Sequence, residues 1–310
     1  MHNNNIYKLA IRGHLDFYIS NVCNLTCEEC FTLSNYKFKG HQTWKDYAEI
    51  YKQWSEKLDI WHNIRILGGE PLLVPDIIDW IEGIKTYWPN NKLTVTTNGY
   101  RLNHVKNLYD TLLKHRDSVE LTIARHNPND WETINEIINN FLVAPVTSNR
   151  TSTQKWTRPG TTGDLYITDN NGVTIIVENQ WIFSTSGVKF NTDLQKYNLH
   201  DSDPEKAHAI CVMKKCHSMI KGKLYKCVPS FVFSEFDKQV TLDISDEDRH
   251  LLNSYAPLSV DADYITTREF ISELNNFIPQ CKFCPQEYVT KKIFSEEKKV
   301  IFKKINAKIK

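Results

Sequence analysis

The first half of the chain alternates β-prone runs with amphipathic helices, and this pattern constrains the fold more than any other feature. The β-prone runs are 15–20, 64–67, 93–97 and 119–123. Apolar stripes at helical spacing follow them over 44–58, 77–88, 105–112 and 131–141. Successive βα units with short connections build a parallel sheet, because each crossover helix must cover the sheet and return right-handed. We therefore predict an α/β fold built as an open or closed (β/α) barrel.

Composition supports a globular protein without a strong charge preference. The 310 residues are 41% hydrophobic, which supplies a core for one large or two moderate domains. Lys and Arg number 38 against 37 Asp and Glu, so the net charge of +1 provides no general attraction to nucleic acid or membranes. The N-terminus is polar, and no apolar run approaches the ~18 residues of a membrane span. We expect a cytoplasmic protein.

Three of the eight cysteines form a tight motif just past the first strand, Cys23-x3-Cys27-x2-Cys30. In a reducing compartment, cysteines spaced in this way are better suited to metal or cluster binding than to disulfides. Three thiolates are one short of the four that normally hold a 4Fe-4S cluster, so one iron would stay open to another ligand. The alternatives are a three-thiolate zinc site and unrelated thiols.

Two further motifs follow the next two strands, Gly-Gly-Glu-Pro at 68–71 and Thr-Thr-Asn-Gly at 96–99. Paired glycines let a backbone approach a ligand closely, and Glu70 can neutralise an ammonium group. Thr97 and Asn98 offer hydroxyl and amide groups suited to a ribose. Parallel α/β folds place reactive residues at the C-terminal ends of strands, where the cysteine loop and both motifs fall.

With these three motifs at successive strand ends, the chain resembles the radical S-adenosylmethionine (SAM) enzymes over roughly residues 15–145. The resemblance implies a partial (β/α) TIM-like barrel with a 4Fe-4S cluster on Cys23, Cys27 and Cys30. It also implies SAM on the open iron. The implied SAM contacts are Gly68, Gly69, Glu70 and Pro71 near the methionyl amino group and Thr96, Thr97 and Asn98 near the ribose.

Two more contacts are implied by position alone. Arg125, just past the fourth strand, is a candidate partner for the SAM carboxylate, although it could equally pair with a surface Asp or Glu. The family commonly has an aromatic residue before the last cysteine, whereas Glu29 stands here, and the following Phe31 can substitute beside the adenine. His126, next to Arg125, is either a hydrogen-bonded polar residue or a group near the substrate.

The implied reaction begins with one electron passing from the reduced cluster to the sulfonium of SAM. The S–C5′ bond then breaks, and the 5′-deoxyadenosyl radical abstracts hydrogen from a substrate. A donor such as flavodoxin or ferredoxin would supply the electron. Only about 14 residues precede the first strand, which leaves no room for an N-terminal peptide-recognition domain. We therefore expect a sugar or nucleotide-like small molecule, with a peptide presented by a partner as the rival substrate.

The remaining cysteines form a second group. They are Cys211, Cys216, Cys227, Cys281 and Cys284. A hairpin turning at Lys221-Gly222 and pairing Ile220 with Lys223 would place Cys216 opposite Cys227. The group is similar to the SPASM and twitch extensions of radical SAM enzymes, which implies a second, auxiliary 4Fe-4S cluster. Family spacing favours Cys211 and hairpin geometry favours Cys216, while a structural zinc ribbon is the alternative.

Three regions follow from this organisation. Residues 1–200 are predicted as the radical SAM partial barrel, 201–290 as a small α+β twitch/SPASM-like cluster domain, and 291–310 as a basic C-terminal helix. Residues 147–163 indicate a loop or an ordered lid, and Asn171-Gly172 indicates a hairpin. The tail carries eight Lys and two Glu, which suits a docked terminal helix or a contact with nucleic acid or a membrane surface.

An auxiliary cluster could accept an electron from a substrate radical, ligate the substrate or relay electrons. Acceptance of an electron makes a net two-electron oxidation the expected outcome, ahead of isomerisation. A hypothesis from another class is a zinc-stabilised nucleic-acid-binding protein that uses the basic tail. Zinc in place of iron, with no cleavage of SAM, would distinguish that protein from a radical enzyme.

Overall fold

The computed structural model describes residues 8–27, 29–36, 39–127, 129–151, 165–179, 182–184, 188–191, 194, 196–287 and 290–292. No helix within these residues is long and apolar enough to cross a membrane.

The described residues form strands and helices in the predicted alternation. The strands are β1 Leu9–Ile11, β2 His14–Ser20, β3 Leu58–Ile60, β4 Ile64–Gly68, β5 Leu93–Thr97, β6 Val119–Arg125, β7 Val146–Thr151, β8 Leu165–Asp169, β9 Thr174–Asn179, β10 Ile182–Ser184, β11 Val188–Asn191, β12 Lys196–Leu199, β13 Cys216–Ile220, β14 Lys223–Tyr225 and β15 Thr290–Lys292. The helices are α1 Trp44–Lys57, α2 Ile77–Tyr87, α3 Leu108–Lys114, α4 Trp131–Phe141, α5 Pro204–Ala209, α6 Pro229–Val240, α7 Asp246–Asn253 and α8 Tyr264–Glu273. Short 3-10 turns lie at Ser34–Tyr36, Pro71–Leu73, Leu102–His104 and Pro279–Phe283.

The central sheet is mostly parallel, as the βα repeats predict. Its nine strands lie in the order β14-β13-β2-β4-β5-β6-β9-β8-β7. The strands from β13 to β9 are parallel to one another, and β14, β8 and β7 are antiparallel to their neighbours. This is the α/β fold expected of a partial barrel. The α3 helix begins at Leu108, later than predicted, because the preceding Asn107 is left-handed at φ 64°.

The sheet does not end at the predicted domain boundary near residue 200. Strand β13 pairs in parallel with β2, with Cys216 beside His14 and Met219 beside Phe17. The polar stretch at 200–204 instead caps α5, since Asp203 accepts hydrogen bonds from the backbone of Glu205 and Lys206. The division into 1–200, 201–290 and 291–310 stays a prediction.

The two faces of the sheet differ in polarity. Helices α1 to α4 bury alternate apolar residues of β2, β4, β5 and β6, together with Trp54 and Trp80. The strand residues that alternate with these apolar positions point to the other face of the sheet. They include Asp16, Thr94, Thr96 and Thr122. Around β13, β2 and β4 this second face is covered by an apolar cluster centred on α6. Farther along the sheet, Thr94 and Thr96 stay half-buried.

Two sequence expectations require correction. Residues 146–151, taken largely as loop, form β7 and extend the sheet beyond β8, because the β-branched Val146, Thr147 and Thr151 favour an extended backbone. Lys291 and Lys292, assigned to a basic helix, lie in β15 opposite β10. The rest of the presumed lid, 152–163, and of the tail, 293–310, lies outside the described residues. The Asn171-Gly172 hairpin is confirmed, with Gly172 at φ 85°.

Asp16 forms a buried ion pair on the polar face. It is fully buried and accepts hydrogen bonds from Arg65 Nε at 2.6 Å and Arg65 Nη2 at 2.7 Å. Such a bidentate pair holds β2 and β4 together, and the loss of one partner leaves the other charge uncompensated.

We predict that Asp16→Ala lowers the free energy of unfolding by about 3 kcal/mol, because the guanidinium of Arg65 is left without its counter-charge. Urea unfolding of the cofactor-free protein measures the change. Glu49→Ala is the matched control, since Glu49 and Lys52 form an exposed pair at 3.7 Å. Its removal should cost less than about 1 kcal/mol. Equal losses in the two variants would contradict the assignment.

Candidate cluster and S-adenosylmethionine site

The three-cysteine loop leaves the C-terminal end of β2 and brings its thiols together. Cys23, Cys27 and Cys30 interact electrostatically with one another. The backbone N–H of Leu25 donates to Cys23 Sγ at 3.4 Å, and the Thr32 hydroxyl lies 3.0 Å from Cys30 Sγ. Burial raises the pKa of Cys23 to about 11 and the pKa of Cys27 well above its ordinary range. Such thiols ionise near neutral pH only when a bound metal compensates the charge.

The paired glycines allow the cysteine loop to pack closely against the end of β4. Gly69 N donates to Ser20 O at 2.7 Å, and Glu70 N donates to Val22 O at 2.8 Å. A Cβ on Gly68 would lie 2.6 Å from Ser20 O, and one on Gly69 would lie 2.3 Å from Val22 O. The glycines are therefore required for the loop to dock against the end of β4.

Glu70 turns its carboxylate into the protein, between the ends of β4 and β5. Its Oε1 accepts from Leu72 N at 2.9 Å and from Thr97 Oγ1 at 2.6 Å. Its Oε2 accepts from Asn98 N at 2.7 Å. Burial raises the pKa of Glu70, and these three donors oppose the rise. Since a carboxylate has about four acceptor positions, most of its capacity is used within the protein.

Asn98 extends the same network to the cysteine loop. Its Nδ2 donates to Asn24 Oδ1 at 2.7 Å and lies 3.8 Å from Cys23 Sγ. Of the three residues expected near the ribose, Thr97 and Asn98 are thus buried in contacts that join the strand ends. Thr96 is half-buried on the polar face of the sheet.

Arg125 forms hydrogen bonds with neighbouring polar groups. Its Nε donates to Asp130 Oδ1 at 3.0 Å, and its Nη1 donates to Asn179 Oδ1 at 2.7 Å. The guanidinium also lies 5.4 Å from the ring centre of Trp131. The sequence left open whether Arg125 contacts SAM or pairs with a carboxylate. In the structure Arg125 pairs with Asp130, and both residues are buried. His126 is half-buried beside Arg125, and Phe31 packs against the apolar cluster that includes Leu33.

Tyr100 is a site residue that sequence reasoning missed. Its hydroxyl donates to Asp130 Oδ2 at 2.5 Å, and its backbone N–H donates to Asn98 Oδ1 at 3.2 Å. The phenol also interacts electrostatically with Cys27, and burial together with Asp130 raises its pKa. Its position directly after the Thr-Thr-Asn-Gly motif could have identified it from the sequence.

Four of the five later cysteines lie together. Cys227 interacts with Cys211 and Cys281, and Cys284 interacts with all three. Backbone N–H groups of Met213 and Ile278 point at Cys211 Sγ (3.3 Å) and Cys281 Sγ (3.5 Å). Burial raises the pKa of Cys227 to about 12 and that of Cys284 well above its usual value.

Cys216 lies at the start of β13, in the strand that pairs with β2. The predicted pairing of Ile220 with Lys223 is confirmed, but the hairpin ladder stops where Ser218 meets Tyr225 and so never reaches Cys227. Cys216 pairs instead with His14 of β2, and its thiol interacts with Arg65.

In neither cysteine group do three thiols point to one common position for a metal ion. Across the described ranges, no three His, Cys, Asp or Glu side chains are grouped to hold one metal ion. A cubane cluster gives each thiolate its own iron, so its ligands need not converge as the ligands of one zinc ion do. Thiols with backbone N–H donors suit such a cluster.

We predict that Gly69→Ala abolishes cluster loading on the N-terminal loop, because the added methyl would overlap Val22 O. Iron content after anaerobic reconstitution measures the loss. Gly40→Ala is the control, since a Cβ there meets nothing within 4 Å although the residue has φ 93°. It should cost about 1 kcal/mol in stability and keep its iron. Full loading of Gly69→Ala would overturn this role for the glycine.

Comparison with known proteins identifies a domain in the first half of the chain. The model of the radical SAM superfamily matches residues 17–144. The GTP 3′,8-cyclase of Nautilia profundicola is 33% identical over 98 residues, which are 31% of this chain and 31% of that enzyme. The GTP 3′,8-cyclase of Petrotoga mobilis is 30% identical over 125 residues, 39% of this chain and 37% of that enzyme. The matches thus span about a third of these relatives.

Two solved structures show weaker likenesses. Streptococcus suis SuiB bound to its precursor peptide SuiA is 27% identical with a TM-score of 0.32, over 39% of this chain and 25% of SuiB. BtrN in an open conformation is 15% identical with a TM-score of 0.41, over 90% of this chain and 93% of BtrN. The family match assigns one part of the chain: residues 17–144 are a radical SAM superfamily domain.

Proposed function

We propose that the protein reductively cleaves SAM and uses the 5′-deoxyadenosyl radical to abstract hydrogen from a small polar substrate, which undergoes a net oxidation. One observation carries the proposal: the loop that bears the buried Cys27 and the half-buried Cys23 and Cys30 is held against the ends of β4 and β5 through Gly69, Glu70 and Asn98. Cys23, Cys27 and Cys30 leave one of four irons without a protein ligand. When bound, the cluster and SAM supply the radical chemistry.

The chain's own residues position the reactants and exclude water. Glu70 and Asn98 hold the cysteine loop against the strand ends, and the buried Leu33 and Tyr18 cover it. Residues 68–71 and the half-buried Thr96 would contact SAM beyond the cluster, as the family resemblance implies. Positioning matters because a radical must meet its target C–H bond directly and not a competing group.

The polar face of the sheet favours a hydroxylated substrate. Thr94, Thr96 and Thr168 are half-buried there, and Thr122 lies between them on β6. Such hydroxyls donate and accept hydrogen bonds, which suits a sugar or nucleotide-like molecule. The relatives named GTP 3′,8-cyclase carry a nucleotide in their name, in keeping with this class. A peptide presented by a partner is the alternative substrate.

The second cysteine group is proposed to hold an auxiliary 4Fe-4S cluster in a twitch-like region within 201–290. Its ligands would be Cys211, Cys227, Cys281 and Cys284, with Cys216 outside the set. Hydrogen abstraction leaves a substrate radical, and loss of one proton and one further electron completes a two-electron oxidation. The auxiliary centre would take that electron, while a flavodoxin or ferredoxin would reduce the first cluster.

Product mass separates oxidation from isomerisation. A product lighter than the substrate by two hydrogen atoms supports the proposal, and an isomer of unchanged mass refutes the oxidation. A zinc-stabilised nucleic-acid-binding protein does not account for the radical SAM domain at residues 17–144.

We predict that the anaerobically reconstituted and reduced protein forms 5′-deoxyadenosine from SAM. Cys30→Ala should lower this rate by at least about 100-fold, because the cluster loses one of its three ligands. Chromatographic quantification of 5′-deoxyadenosine measures the rate. Cys216→Ala is the matched control and should form 5′-deoxyadenosine as the unaltered protein does. Zinc without iron, and no SAM cleavage, would refute the proposed function.

We further predict how iron partitions between the two sites. Two cubane clusters give about eight irons per chain, and Cys281→Ala should retain about four. Cys216→Ala should retain about eight, because the Cys216 thiol interacts with Arg65 and its strand pairs with β2. Iron and sulfide analysis of the reconstituted variants measures the difference. Equal iron loss in both variants would contradict the assignment of Cys216.

A further inference from the structure

A buried lysine lies within the four-cysteine group. Lys226 directly precedes Cys227 and is 4% exposed. Its Nζ donates to Leu274 O at 2.6 Å. Its backbone N–H donates to the Tyr255 hydroxyl at 2.8 Å, and its carbonyl oxygen lies 3.0 Å from His217 Nδ1. The residue is therefore held at its backbone and at the tip of its side chain.

Three cysteines and two histidines surround this ammonium. Lys226 interacts electrostatically with Cys227, Cys281 and Cys211 and with His208 and His217, and the cysteines are its anionic partners within the described residues. The carbonyl of Leu274 takes one of its three N–H donors. A buried cation is costly unless it is paired, so ionised cysteines are the counter-charges that this position provides.

We propose that Lys226 is the built-in counter-ion of the four-cysteine centre and raises its reduction potential. The proposal rests on the auxiliary cluster of the proposed function. Reduction adds one negative charge to the cluster, and a fixed positive charge nearby stabilises the reduced form more than the oxidised form. The centre would therefore accept the second electron of substrate oxidation more readily.

Burial distinguishes Lys226 from Lys214, which also interacts electrostatically with Cys211. Lys214 is exposed and donates to Ala209 O at 3.3 Å. Water and salt screen an exposed charge far more than a buried one. Lys214 is therefore the matched control: it places a positive charge near the same cysteines, but that charge is exposed to solvent.

The test is a redox titration followed by electron paramagnetic resonance on the full chain. A Cys23→Ala, Cys27→Ala, Cys30→Ala background removes the first cluster, so that a single signal remains. In this background Lys226→Met should shift the midpoint potential to more negative values. Lys226→Arg should stay near the parent value, and Lys214→Met should move it far less than Lys226→Met.

The outcomes separate the two claims. If the background variant binds no iron, the proposed auxiliary centre fails whatever the role of Lys226. If it binds iron and Lys226→Met leaves the potential unchanged, the counter-ion role is overturned while the auxiliary centre stands. If Lys226→Met assembles no cluster, Lys226→Gln decides by the same measurement, because it removes the charge and keeps a hydrogen-bond donor on a neutral side chain.

Discussion

A single buried carboxylate organises the site. Glu70 accepts hydrogen bonds from Leu72 N, Thr97 Oγ1 and Asn98 N, which ties the end of β4 to the end of β5. A shift of either strand end would break one of these hydrogen bonds and leave a buried polar group without a partner. This arrangement of the two strand ends is therefore strongly favoured. Asn98 and Gly69 connect these strand ends to the cysteine loop through hydrogen bonds, and burial raises the pKa of Cys23 and Cys27 in that loop.

The sheet relates the two cysteine groups through neighbouring strands. Strand β2 leads at its C-terminal end to Cys23, whereas β14 runs antiparallel to β13 and leads toward Cys227 beside the start of β13. The groups are thus anchored toward opposite ends of the β2–β13 pair, a strand length of roughly 20 Å apart.

Periodicity predicted the elements well because each βα unit buries one regular apolar stripe, as Phe17 and Ile66 do on their strands. Spacing alone located the cysteines and the strand-end motifs. It could not show that Glu70 turns inward, because two of its three donors, Thr97 and Asn98, lie 27 and 28 residues away in the chain. Nor could it show that the β13–β14 ladder ends before Cys227 and that Cys216 pairs with His14 of β2.

The central claim is that the loop of Cys23, Cys27 and Cys30 holds a cluster with one iron open to SAM. The most direct measurement is the electron paramagnetic resonance spectrum of the reduced Cys281→Ala protein, in which the proposed auxiliary cluster is removed. We expect the signal to change when SAM is added, because SAM binds the open iron. A spectrum that is the same with and without SAM would contradict the claim.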